Sequence, residues 1–126
     1  MPFLFDTDAL SEVMRRAPNA QYLAWLRKVS REDQFTSAVT VGELFQGAYR
    51  SDRREALLTP IEQFVLPAVT VLDKRGLSPG DADVQIAATA IRHGLALVTG
   101  NVRHHRRVPG LKLERILADA RRMTGP

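Results

Sequence analysis

The sequence predicts an α/β fold: a three-layer α/β/α sandwich with a central, mainly parallel sheet. Two observations lead there. Short apolar runs alternate with stretches of helical periodicity along the chain, the pattern of a parallel sheet covered on both faces. Three acidic residues also stand where separate apolar runs stop or start: Asp6 after Phe3-Leu4-Phe5, Glu43 shortly after Phe35 to Val39, and Asp83 at the head of Val84 to Ala90. In such a sheet the strand ends converge on one crevice, and ligands bind there.

Taken in order, Phe3 to Phe5 reads as a buried strand, followed by a helix over Ala9 to Arg16 that Pro18 ends. Asn19 is placed to cap a second helix reaching Ser30, with Tyr22, Leu23, Leu26 and Val29 on one face. Gln34 to Val39 reads as a strand, after which Thr40 and Glu43 form a capping-box pattern at the head of a helix. A further helix is predicted over Asp52 to Phe64 and a strand over Ala68 to Leu72. Lys74 to Gly80 is rich in turn residues. A helix from Asp81 or Ala82 to His93 stops at Gly94. Leu95 to Thr99 and Leu111 to Leu113 read as strands, and Glu114 to Met123 as an amphipathic helix. Tyr22, Trp25, Phe45 and Phe64 fall at helical core spacing and read as packing or subunit contacts.

The totals narrow the function classes. The 126 residues fit one domain with a real core, 44% hydrophobic and 25% charged. No apolar run approaches a membrane span, and no signal-peptide pattern opens the chain. The absence of Cys rules out disulfides and thiolate chemistry and fits a reducing cytoplasm. A net charge of +4 suggests a polyanionic partner, nucleic acid first, with a solvated surface or a dock for an acidic protein as the alternatives.

Carboxylates gathered in a crevice repel one another and raise each other's pKa unless a cation compensates them. Oxygen ligands of this kind suit hard divalent cations such as Mg²⁺. Asp6, Glu43 and Asp83 therefore read as a metal site acting on phosphates. Each also has a purely structural reading. Asp6 and Asp8 suit a helix cap and its dipole, Glu43 a capping box, Asp81 an N-cap and Asp83 a first-turn acid.

The motifs around these acids resemble a known family. Phe3-Leu4-Phe5-Asp6-Thr7-Asp8-Ala9-Leu10-Ser11-Glu12 is similar to the opening of PIN-domain ribonucleases, above all the VapC-type toxins of bacterial toxin–antitoxin pairs. Ser37 to Ala48 resembles their second motif. Asp83 to Ala90, then His93-Gly94-Leu95, Leu97-Val98-Thr99 and Asn101, resembles the third and fourth, and Val108-Pro109-Gly110-Leu111 the tail. The matches run in the family's order over nearly the whole chain, so residues 1–126 are expected to form a single PIN-like domain.

The resemblance implies a metal-dependent endoribonuclease. Asp6, Glu43 and Asp83 would hold Mg²⁺, with Mn²⁺ substituting, and Asn101 would be a fourth, weaker catalytic member. Thr7 and Thr99 are candidates for orienting water, metal or phosphate, with turn-forming roles as the alternative. The run Arg103-His104-His105-Arg106-Arg107 reads either as a solvated loop or, beside the site, as phosphate contacts, with Arg103, His104, Arg106 and Arg107 the RNA-binding candidates. The implied partners are RNA, a VapB-type antitoxin and a second copy of the chain, in the cytoplasm and away from membranes.

Four positions depart from the family pattern. His104 stands where a further acid is frequent. Residue 8 is Asp in place of a common Asn, and Gly100 replaces a residue that is often basic. The stretch from Asp73 to Asp83 looks short for the additional helix relatives carry. His104 and the shortened segment leave room for one alternative, a PIN-like RNA- or protein-binding module with weakened catalysis. A more distant alternative is a haloacid dehalogenase-type phosphatase, in which Asp6 of Asp6-Thr7-Asp8 is the nucleophile and Gly80-Asp81-Ala82-Asp83 the last acidic motif.

Overall fold

The computed structural model describes residues 1–72, 82–106 and 108–124. The strands are β1 (Phe3–Phe5), β2 (Gln34–Ser37), β3 (Thr70–Leu72), β4 (Ala96–Val98) and β5 (Lys112–Glu114). They form one sheet in the order β3-β2-β1-β4-β5. Every pairing is parallel, with Phe3 opposite Gln34 on one side and Ala96 on the other. The chain lays strands outward from β1 to β3, then crosses back to add β4 and β5. The switch in strand order lies between β1 and β4, where an α/β sheet opens its crevice.

The helices are α1 (Thr7–Val13), α2 (Ala20–Leu26), α3 (Ala38–Arg50), α4 (Arg54–Pro60), α5 (Leu66–Ala68), α6 (Ala82–His93), α7 (Val102–His105) and α8 (Ile116–Thr124). Alternation along the strands divides the core between two faces. Phe5 and Val98 join Leu10, Tyr22, Leu44, Ile61 and Leu117 on one face. Leu4 and Leu97 join Ile86, Ala90 and Leu95 under α6 on the other. Trp25 packs edge-on against Phe3, with ring centroids 5.1 Å apart.

Local signals set several boundaries. The Asn19 side chain accepts the Tyr22 amide at 3.1 Å and starts α2. Gly94, at φ +66°, ends α6 in the left-handed conformation glycine tolerates best.

Other boundaries differ from expectation. α2 stops at Leu26, and a 3-10 turn at Arg31–Asp33 precedes β2. β2 ends at Ser37, two residues before the predicted Val39, because the Ser37 hydroxyl accepts the Thr40 amide at 3.0 Å and starts α3 there. Thr40 is thus inside the helix, and the Thr40–Glu43 capping box does not form. The helix predicted over Asp52 to Phe64 is α4 followed by a π-helical segment, Ile61–Val65, and α5. Pro60 has no N–H to continue the α-helical ladder, and the Leu66 amide reaches back five residues to the Ile61 carbonyl. Phe64 on that segment is 69% exposed and is not a core residue. The turn-rich stretch Lys74 to Gly80, Asp81 and Arg107 lie outside the described residues, as does most of the shortened 73–83 segment.

Candidate active site

The loops leaving β1 and β4 frame a cleft of about 290 Å³, lined by Asp6, Thr7, Asp8, Glu43, Asp83, Ile86, Asn101 and His105. Three separate stretches of sequence deliver its carboxylates. Asp6 leaves the end of β1 and caps α1, its Oδ1 accepting the Ala9 amide at 2.8 Å. Glu43 comes from the second turn of α3, and Asp83 from the first turn of α6.

Each acid is held differently. Asp6 is 7% exposed. Its carboxyl is pushed up to about 6, first by burial and further by the charges of Asp8 and Asp83, against hydrogen bonds from the Thr99 hydroxyl and the Ala9 amide. Thr99 is fully buried after β4, and its Oγ1 also accepts the Asn101 amide at 3.0 Å. That contact brings the exposed Asn101 to the cleft. Glu43 Oε1 accepts a short hydrogen bond from the Thr7 hydroxyl, tying the head of α1 to α3. Asp83 is half exposed, and its Oδ2 lies 2.9 Å from His104 Nε2.

Asp8 is engaged by a residue sequence reasoning passed over. Arg121, on α8, donates to both Asp8 oxygens, NH1 to Oδ2 at 2.8 Å and NH2 to Oδ1 at 3.0 Å. The same guanidinium donates to Glu12 Oε1 at 2.7 and 3.0 Å. Glu12 is buried on α1 and also accepts the Asn19 amide at 2.9 Å and Arg15 NH1 at 3.2 Å. Burial works to raise the Glu12 pKa, but the hydrogen bonds from Arg121 and Asn19 and the charges of Arg121 and Arg15 outweigh it and hold the carboxyl low. Asp8 hydrogen bonding holds the Arg121 guanidinium above its ordinary value. A Glu on the buried face of α1 was the available signal, since such a charge needs a partner. The partner is 109 residues away.

Where the sequence predicts a loop from Arg103, residues Arg103 to His105 belong to the short helix α7. Helical turning separates the two histidines. His105 points inward and is 3% exposed, while Arg103, His104 and Arg106 are exposed. The two rings meet edge to face at 5.3 Å. Burial lowers the His105 pKa, with His104 acting in the same direction and Asp83 against it. An apolar cleft of about 390 Å³ shares Asp83 and His105 and runs along Val84, Ala87, Ile91 and Pro109.

The donor set suits a hard divalent cation: carboxylates from three elements stand around one cleft. The side chains are spread around that cleft. Among the described residues, no three Asp, Glu or His side chains converge closely enough to hold an ion. Thr7 engages Glu43, and His104 engages Asp83. For the phosphatase alternative, Asp8 would have to serve as a free acid, yet both its oxygens are taken by Arg121.

Comparison with known proteins agrees with this architecture. Residues 3–111 match the PIN domain family. The chain is 32% identical over 136 aligned residues to ribonuclease VapC2 of Haemophilus influenzae, spanning 90% of this chain and 97% of that protein. It is 31% identical over 118 residues to toxin FitB of Neisseria gonorrhoeae, spanning 76% and 85%. Among solved structures, DNA-bound VapBC from Salmonella typhimurium superposes with a TM-score of 0.76 at 26% identity, covering 90% of this chain and 97% of that one. An all-parallel five-stranded sheet with its acids at the β1/β4 switch, and relatives matched over most of their length, lead to one assignment: the chain belongs to the PIN-domain family, among its VapC-type ribonucleases.

Proposed function

We propose that this chain is a divalent-cation-dependent endoribonuclease, the toxin of a toxin–antitoxin pair, cutting RNA in the cleft between β1 and β4. The observation that carries the reading is the meeting of Asp6, Glu43 and Asp83 around one cleft from three elements. These three are the ligands we assign, with Mg²⁺ the expected ion and Mn²⁺ a substitute. When bound, the cation supplies a Lewis acid for the phosphate and a water of lowered pKa.

The chain's own residues do the positioning. Ala9 N–H and the Thr99 hydroxyl fix the Asp6 carboxylate, and the Thr7 hydroxyl fixes Glu43. Asn101 offers its amide to a phosphate or water at the cleft. Arg103, Arg106 and Arg107 are assigned to the RNA backbone, and such contacts give salt-dependent affinity without sequence choice. His104 is assigned to the rim beside them, where it competes for Asp83.

We read residues 1–126 as one PIN-like domain, since all five strands share one sheet. A VapB-type antitoxin is the proposed partner, supported by the VapBC complex that shares this fold. A homodimer and a cytoplasmic location follow the same reading. Among the described residues, no helix is long and apolar enough to cross a membrane.

The test is cleavage of total cellular RNA by the purified chain with Mg²⁺, with Mn²⁺ and with EDTA, beside Asp6→Asn. Discrete fragments that require both metal and Asp6 support the nuclease. Absence of cleavage by folded, antitoxin-free protein under all three conditions favours an RNA- or protein-binding module, with the His104–Asp83 pair as its physical cause.

A further inference from the structure

Asp8 is a fourth carboxylate of the cleft, two residues beyond Asp6, yet it is placed unlike the other three. The fork of Arg121 occupies both of its oxygens, a bidentate geometry that directs the carboxylate lone pairs at the guanidinium. Arg121 is not held by Asp8 alone. Buried Glu12 grips the same guanidinium from the other side and is itself fixed by the Asn19 amide and Arg15. The fork is therefore preorganised where Asp8 meets it.

Gly100 makes the approach possible. A Cβ on residue 100 would collide with both Arg121 NH1 and Asp8 Oδ2. The rim loop that carries Thr99 and Asn101 thus has an opening where Arg121, from the last helix, closes over Asp8.

We propose that Arg121 is a positioning residue that removes Asp8 from the ligand set, leaving three carboxylates to hold one divalent cation. The inference rests on the metal-site reading above. Four free carboxylates would give the cleft the charge and oxygen donors for a second ion, as two-metal phosphoryl-transfer sites require. Arg121 compensates the fourth charge and engages both its oxygens.

The experiment is Mn²⁺ binding to the full, antitoxin-free chain, by calorimetry and by the electron paramagnetic resonance signal of free Mn²⁺, with circular dichroism to establish folding. Arg121→Gln keeps a donor for Glu12 but releases Asp8. Gly100→Ala leaves every charge in place and crowds the fork off Asp8. The wild-type chain is expected to bind one ion. Both variants should bind a second, or hold the first about tenfold more tightly as one more carboxylate faces it. Asp8→Asn combined with Arg121→Gln should return to a single ion at about the wild-type affinity. If Arg121→Gln fails to fold, Gly100→Ala decides alone.

Wild-type binding that Asp83→Asn abolishes, with Gly100→Ala and any folded Arg121→Gln unchanged in stoichiometry and affinity, would overturn the proposal and leave Arg121 as a tether for α8. Failure of the wild-type chain to bind Mn²⁺ at all would overturn the metal reading, and this inference with it.

Discussion

His104 Nε2 lies 2.9 Å from Asp83 Oδ2, so the imidazole of α7 engages a carboxylate assigned to the metal. If Asp83 holds the cation as proposed, His104 stands where it would compete for that carboxylate. A nitrogen donor is also the poorer match to Mg²⁺. His104→Asp is expected to raise Mg²⁺ affinity and Mg²⁺-supported cleavage by about tenfold, with His104→Ala between it and wild type. Metal titration of RNA cleavage checks the order. Equal midpoints for all three proteins would show that the pair does not limit the site.

The hydrogen bond from the Thr7 hydroxyl to Glu43 joins two elements that sequence keeps 36 residues apart. Thr7→Val keeps the shape of the side chain and removes the donor. Cleavage is expected to fall about tenfold, since one positioning hydrogen bond to a charged group amounts to roughly 1.5 kcal/mol. Thr7→Ser should retain most activity. Both variants losing activity equally would point to packing of the methyl group.

Asp6 gives the metal-free protein a defined pH dependence. Its folded pKa, about 6, stands above the ordinary 3.8, so between these values the native state binds more protons than the unfolded one. Stability therefore falls as pH rises from 4 to 6 and levels off above, by an amount of roughly 3 kcal/mol for this group. Glu12, with its lowered pKa, contributes in the opposite direction and loses stability as pH falls. The difference between wild type and Asp6→Asn isolates the Asp6 contribution. Urea denaturation in EDTA should show Asp6→Asn gaining on wild type from pH 4 to pH 6, and a constant difference over that range would contradict the raised pKa. Added Mn²⁺ should narrow the gap at pH 7, as the cation stabilises the charged carboxylate.

Arg103 and Arg106 are exposed on and after α7, the helix whose His105 lines the cleft. If each meets an RNA phosphate, replacing either by Ala should weaken binding of unrelated RNA sequences alike. The slope of log affinity against log salt should become shallower by about 0.7 per residue for single strands. Fluorescence anisotropy on an Asp83→Asn background separates binding from cleavage. Unchanged slopes would place the RNA elsewhere.

Much of this was legible in the residues because it is local. β1, β4, the Asn19 cap and the Gly94 stop follow from short apolar runs, a side-chain acceptor and a backbone that favours glycine at φ +66°. The misplaced start of α3 turned on a choice between two capping hydroxyls. Val39 and Thr40 suit a strand end as well as a helix, and the fold resolved the choice at Ser37. The short α7 went unseen because a four-residue helix has too few positions to show a period. Without that helix, the inward turn of His105 and the outward reach of His104 to Asp83 have no sequence signature.

By itself, then, the sequence determined the alternation of strands and helices, and with it three acids at the edge of a parallel sheet, because both follow from periodic burial of apolar side chains. Only the tertiary structure decided which carboxylates are engaged and by what. Asp8 is matched by a guanidinium 113 residues away, Glu43 by a hydroxyl 36 residues away, and Asp83 by an imidazole on a neighbouring helix. Those pairings depend on where helices dock on the sheet, and docking is a property of the assembled core that no single stretch of chain contains.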